Sequence, residues 1–198
     1  MITDINQLDL EKSYTYSDYL SWQFDEMVEL IRGKVFRMSP APSTEHQRIS
    51  RKILLKVGNY LEGKTCELFD APFDVRLPLP SSQKTKGKID TVVQPDLCVI
   101  CDPTKIDKRG CQGAPDWIIE ILSKGTASKD LTEKYKLYEH AGVKEYWIVR
   151  PYEQSVSPYL LNSEGVYQAF RSTPFVKGEK VPVAIFPEFE IDLSKIWT

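Results

Sequence analysis

The sequence predicts an α/β fold: a mixed central sheet flanked by helices, with a C-terminal β-hairpin packed on the core. Three observations carry that expectation. Two short apolar runs, Leu97-Cys98-Val99-Ile100 and Trp117-Ile118-Ile119-Glu120-Ile121-Leu122, have the length and continuity of strands covered on both faces. Ile49, Ile53, Val57 and Leu61 recur every four residues, which places them on one face of a helix. Finally, a strand over 117–122, a helix over 129–140 and a strand over 145–149 follow one another in the order of a right-handed crossover, which makes the two strands parallel.

Taken in order, residues 1–15 are polar and patternless and read as a loose N-terminal arm. Ser17 or Asp18 can cap a short helix running to about Trp22. Residues 27–38 alternate around Arg32-Gly33-Lys34, a hairpin in which Gly33 supplies positive φ, and Glu29 falls inside its first strand. Ser39-Pro40-Ala41-Pro42 breaks the sheet, and Ser43 or Thr44 then begins the amphipathic helix, which carries His46 and Gln47 in its first turn and ends near Gly63. Residues 66–77 are rich in strand formers, with Pro72 marking a bend or edge. A long polar loop over 78–88 precedes a strand over 92–100, and a second loop over 102–115 separates it from the strand at 117–122. Gly142 stops the crossover helix and Pro151 ends the strand after it. From 155 onward, short apolar runs separated by Asn162-Ser163-Glu164-Gly165 read as a C-terminal extension packed on the core, with a last short helix over 192–197.

A chain of 198 residues suits one domain over 1–198. Its 41% hydrophobic and 27% charged content is that of an ordinary globular protein, which excludes the disordered and fibrous classes. No apolar run approaches the roughly 20 residues a bilayer requires, and the start lacks a basic and then apolar leader, so the expectation is a cytoplasmic protein with no membrane partner. The net charge of −2 excludes holding nucleic acid by overall charge, because affinity for phosphate comes from Lys and Arg replacing counterions. A DNA contact would need a local patch. The candidates are Lys84, Lys86 and Lys88 before Asp96, and Lys105, Lys108 and Arg109 after it, against the plainer reading of solvated loops. Cys98 and Cys101 form a CxxC, but residues three apart on a strand point to opposite faces and cannot chelate one ion. The four cysteines therefore read as small buried thiols in a reducing compartment.

Asp96 opens one apolar run and Glu120 interrupts the other, and an ionised carboxylate inside a sheet is costly unless a cation or hydrogen bonds meet it. Two on strands that can be neighbours suggest a shared cation. The blocks Gln94-Pro95-Asp96-Leu97, Gly113-Ala114-Pro115-Asp116, Glu120-Ile121-Leu122-Ser123 and Gly142-Val143-Lys144-Glu145-Tyr146-Trp147, in that order and spacing, resemble the Uma-type restriction endonucleases of the PD-(D/E)XK nuclease superfamily. The resemblance covers about residues 16–151. It implies a restriction-endonuclease-like core and Mg2+- or Mn2+-dependent hydrolysis of DNA phosphodiesters, with Asp96 and Glu120 as metal ligands. Oxygen donors suit those ions better than zinc.

The chain departs from the superfamily pattern two residues after Glu120, where Leu122 replaces the lysine. In the Uma-type proteins the lysine lies on the following helix, in a block matching Asp130, Lys134 and Tyr138, which stand four apart and share a helical face. The resemblance thus assigns Lys134 the polarising role. From the residues alone Lys134 reads first as an ordinary surface partner of Asp130, and only the resemblance reverses that order; the plainer alternative for Glu120 is half of a buried ion pair with a lysine. Lys124 is the rival lysine. Glu29 is either a third carboxylate at the metal or an outward-facing strand residue; His46 and Gln47 are further candidates, and Asp116 reads as a cap. Two other functions stay open: a catalytically silent nucleic-acid-binding or assembly module, and hydrolysis of another phosphoester. Cutting both strands of a duplex favours a homodimer, for which the apolar C-terminal strands offer a surface.

Overall fold

The computed structural model describes residues 2–38, 42–79, 88–123 and 130–197, with the backbone alone at Asp130 and Leu131. The α/β expectation holds, but the strands divide between two sheets and a separate hairpin. The first sheet contains β1 (Val28–Ile31), β2 (Lys34–Arg37), β4 (Val75–Arg76), β5 (Val92–Val93), β7 (Ile106–Asp107) and β8 (Gly110–Gln112), in the order β2-β1-β5-β4-β8-β7. The second contains β3 (Glu67–Asp70), β6 (Leu97–Ile100), β9 (Trp117–Ile121), β10 (Glu145–Arg150), β11 (Ser155–Leu161) and β12 (Tyr167–Ala169), in the order β12-β11-β10-β9-β6-β3, with β13 (Phe175–Val176) also on β11. β9 and β10 are parallel, as the crossover predicts, and β6 runs antiparallel to β9, so the sheet is mixed. β14 (Lys180–Val183) and β15 (Phe186–Asp192) make the hairpin.

The second sheet is covered on both faces, which is why its strands read as continuous apolar runs. Leu97, Val99, Trp117 and Ile119 face α2 (Thr44–Leu61), whose buried stripe is the expected Ile49, Ile53, Val57 and Leu61. Cys98, Ile100, Ile118 and Ile148 face the other way, against Leu137 and Tyr138 of α3 (Tyr135–Ala141) and against Val75 and Val93 of the first sheet. Ser43 caps α2 by accepting from the His46 amide, and Gly142 closes α3 at φ 86°. The C-terminal hairpin packs with α2 through Val181, Val183 and Ile191. It is tied to β10 by Glu145, which accepts from the Trp147 indole and from the Ala184 and Ile185 amides. Among the described residues no helix is long and apolar enough to cross a membrane.

Several expectations are corrected. Residues 92–100 are not one strand: Pro95 lacks an amide donor, the ladder breaks, and Gln94-Pro95-Asp96 carries the chain from the first sheet to the second. The segment 102–115 is more than a loop, since it contains a 3-10 turn and the β7–β8 hairpin. That hairpin requires glycine at 110, where φ is +125° and a Cβ would fall 2.1 Å from the Asp74 carbonyl oxygen. Residues 2–15 are not a loose arm: Ile5, Leu8 and Tyr14 are buried under β1, and Lys34 donates to the Leu10 and Glu11 carbonyls. The cap of α1 (Tyr16–Tyr19) is Thr15, in a capping box with Asp18. The crossover helix begins as a π-type turn over Asp130–Lys134, and the final helix is a 3-10 turn, Leu193–Lys195.

Cys98 and Cys101 do lie on opposite faces of the second sheet. The reading of four thiols fails, however, because Cys66 and Cys101 flank the paired strands β3 and β6 and form a disulfide. Cys98 and Cys111 are free and buried, and burial pushes the Cys111 thiol up to about 11.

Candidate active site

Asp96 stands immediately before β6, at the exit from the inter-sheet crossing. Its Oδ2 accepts the Ile121 amide at 2.7 Å and lies 3.2 Å from His46 Nε2. The Ile121 bond fixes Asp96 beside the chain segment that carries Glu120. The register agrees: Leu97 pairs with Ile119, so the residues next in line, Asp96 and Glu120, fall at the same end of neighbouring strands.

Glu120 points into the layer between the two sheets and is 3% exposed. Its Oε1 accepts from Lys134 Nζ at 2.8 Å and from the Tyr138 hydroxyl at 2.7 Å. Lys134 Nζ is also 2.9 Å from Glu29 Oε1, and that oxygen accepts the Gln94 amide at 3.1 Å. Lys134 is 5% exposed and Glu29 is 2% exposed, so neither the surface pair with Asp130 nor the outward-facing Glu29 describes the molecule. Glu29 is buried because every position of β1 is covered, which removes the alternation that would have let it face water. Burial, with the Glu120 and Glu29 charges beside it, holds the Tyr138 phenol far above its ordinary value; it stays protonated and donating.

A pocket of about 320 Å³ opens beside Asp96 and is lined also by His46, Gln47, Arg51, Asp70 and Ala71. Of Asp96, Glu120 and Glu29, Asp96 is the most accessible, its side chain 22% exposed against 4% for Glu120 and 2% for Glu29. The site is thus a short series from an open pocket at Asp96 inward to a buried cluster of two carboxylates, one ammonium and one phenol.

The first turn of α2 therefore brings His46 and Gln47 to the pocket, and the π-type turn with α3 brings Lys134 and Tyr138 to Glu120. Asp116 behaves as an anchor, accepting the Cys101 amide and Lys144 Nζ. Lys105 donates to the Ala114 carbonyl; Lys88, Lys108 and Arg109 are exposed. Lys84, Lys86, Lys124 and the Asp130 side chain lie outside the described residues. Sequence reasoning missed Gln94 as a Glu29 partner, and Arg51 and Asp70 as pocket walls. Gln94 had a signal in its Gln-Pro-Asp block, whereas Arg51 and Asp70 come from elements whose tertiary neighbours no local pattern reveals.

Residues 16–194 match the Uma2 family, described as "putative restriction endonuclease". An uncharacterized protein of Synechocystis sp. is 27% identical over 153 residues, covering 75% of this chain and 74% of that protein. The crystal structure of a protein from Anabaena variabilis, described as a "putative nuclease belonging to DUF820", matches with a TM-score of 0.69 at 20% identity over 93% of this chain and 97% of that one. At that identity the likeness shows the fold, and the fold is the restriction-endonuclease-like core that the sequence predicts.

Proposed function

Because the chain belongs to the Uma2 restriction endonuclease family, we propose that it is a divalent-metal-dependent endonuclease that hydrolyses DNA phosphodiesters at the Asp96 pocket. One observation carries the reading. The lysine missing from its usual place after Glu120 is supplied by the next helix, with Lys134 Nζ 2.8 Å from Glu120 Oε1 at the strand end shared with Asp96.

Mg2+ is the cation this donor set fits, with Mn2+ as an alternative: Asp96 and Glu120 offer hard oxygen donors, and Mg2+ is commonly held by one or two carboxylates together with water and substrate phosphate. That habit matters, because among the described residues no group of three or more His, Cys, Asp or Glu is placed to hold a metal. When bound, such an ion neutralises phosphate charge and lowers the pKa of water. Asp96, oriented by the Ile121 amide, would hold the ion at the open end. Lys134 stabilises negative charge developing on the phosphate. Tyr138 and Glu29 hold Lys134 and Glu120 in register, and His46 borders the phosphate from the α2 side. DNA is the substrate in this reading, Lys88, Lys105, Lys108 and Arg109 are candidate backbone contacts, and a homodimer would place two such pockets on the two strands.

Incubating the purified chain with supercoiled plasmid and Mg2+ or Mn2+ should give nicked and linear DNA, abolished by EDTA and lost in Asp96→Asn and Glu120→Gln. Wild-type protein that neither cuts plasmid nor binds either ion by calorimetric titration sinks the proposal.

A second reading has its own observation. Glu120 is already satisfied by Lys134 and Tyr138, so the buried cluster can persist without any ion. On that reading the chain is a silent nucleic-acid-binding or assembly module, and the variants above would bind DNA as the parent does while none of them cuts it.

A further inference from the structure

Net charge is −2, yet α2 carries Arg48, Arg51, Lys52 and Lys56 against a single carboxylate, Glu45. A second hollow, of about 330 Å³, lies along this helix and is lined by Arg48, Arg51 and Lys52 together with Glu45 and Gln154. Ile196 and Trp197, from the end of the C-terminal segment, form its other wall, and the Ile196 carbonyl accepts from Lys52 Nζ at 3.0 Å.

Arg48 and Arg51 are exposed and have no ion pair or hydrogen bond to a described residue. Several other arginines are committed, Arg171 forking onto Glu179, Arg76 pairing with Asp107 and Arg150 donating to Ser157, while the exposed Arg32 and Arg109 stand singly in separate turns. Two unpaired guanidinium groups, about one helical turn apart, form a surface suited to oxyanions, since the planar fork matches phosphate geometry. Arg51 also lines the Asp96 pocket, so the basic hollow adjoins the candidate active site across this one side chain. A polyanion crossing α2 would lead directly to Asp96.

We infer that the Arg48–Arg51 face of α2 is a track for the phosphodiester backbone of the DNA strand entering the Asp96 pocket, holding the phosphates that flank the one cut. The inference takes its ligand from the nuclease reading. It adds a contact surface separate from the loop lysines on either side of β6, and it explains why an acidic protein need not bind DNA weakly: α2 is locally basic although the chain is not. Each phosphate neutralised by a cation releases counterions and adds about 0.9 to the slope of log affinity against log salt.

The test is fluorescence anisotropy on a labelled duplex with the full chain, in Ca2+ to suppress cutting, over a salt series. Arg48→Gln/Arg51→Gln should weaken binding about tenfold or more and reduce the slope by about 1.8, the value for two lost contacts. Arg48→Glu alone should weaken it further than Arg48→Gln. Lys108→Gln/Arg109→Gln serves as the comparison from the other basic loop. If the α2 double variant binds as the parent does, in a preparation that binds and cuts DNA, the inference is overturned while the nuclease reading stands. If the parent binds DNA without cutting it and the α2 variant loses affinity, the track stands and the hydrolytic reading falls. A parent that binds no DNA overturns both.

Discussion

Lys134 is where a stability role and the proposed catalytic role meet in one side chain. Its ammonium answers Glu29 and Glu120 in an interior where neither carboxylate reaches water, and removing one partner of a buried ion pair typically costs about 3–5 kcal/mol. Lys134→Met should therefore lower unfolding free energy by about that amount in urea titrations, besides cutting turnover by about a hundredfold or more. Adding Glu29→Gln should return part of the stability and none of the turnover. A double variant no more stable than Lys134→Met would show that Glu29 is not strained by the loss. At this scale the sequence was informative about Asp96 and Glu120, whose charges interrupt apolar runs. Lys134 was legible only through the family resemblance, because an i, i+4 partner at Asp130 offers the plainer surface explanation. The burial of Glu29 was not legible at all, since a four-residue strand covered on both faces carries no alternation.

Among the elements, the turn between β13 and β14 depends most plainly on one carboxylate. Glu179 takes both arms of the Arg171 guanidinium at 2.8 and 2.7 Å and accepts the Val176 amide at 2.7 Å. The Arg171 hydrogen bonds, then the Val176 amide, lower its pKa from 4.5 to about 2. A depressed carboxylate stabilises the fold fully above its unfolded value and loses that contribution as pH falls through its folded one. Glu179→Gln should thus melt below the parent at pH 7, and the gap should close as pH drops from 4.5 toward about 2. Melting curves separated equally at both ends of that range would remove Glu179 from the account. Elements with long periodic patterns were read well: α2 kept its cap and its buried stripe. The two inter-sheet crossings differ in how they read: the break expected at Pro72 separates β3 from β4, whereas Pro95 interrupts what the sequence presents as one strand, since a chain that leaves one sheet for another looks locally like a strand with a flaw in it.

At the scale of the whole molecule, the sequence could not say how many sheets its strands would make. Periodicity identifies a strand and whether its faces are covered, but not its neighbours, and β5 and β6 differ in sheet although only three residues separate them. Lys134 has a consequence at this scale as well. Glu29 belongs to the first sheet and Glu120 to the second, so one ammonium bridges the two layers. Peeling the layers apart leaves one of the two carboxylates without its cation, which couples their opening into one cooperative event. Amide deuterium uptake should report this directly: the slow amides of β1 and β9 should exchange at matched rates in the parent. In Lys134→Met the β1 amides should exchange far sooner than those of β9, which stays clasped between β6 and β10.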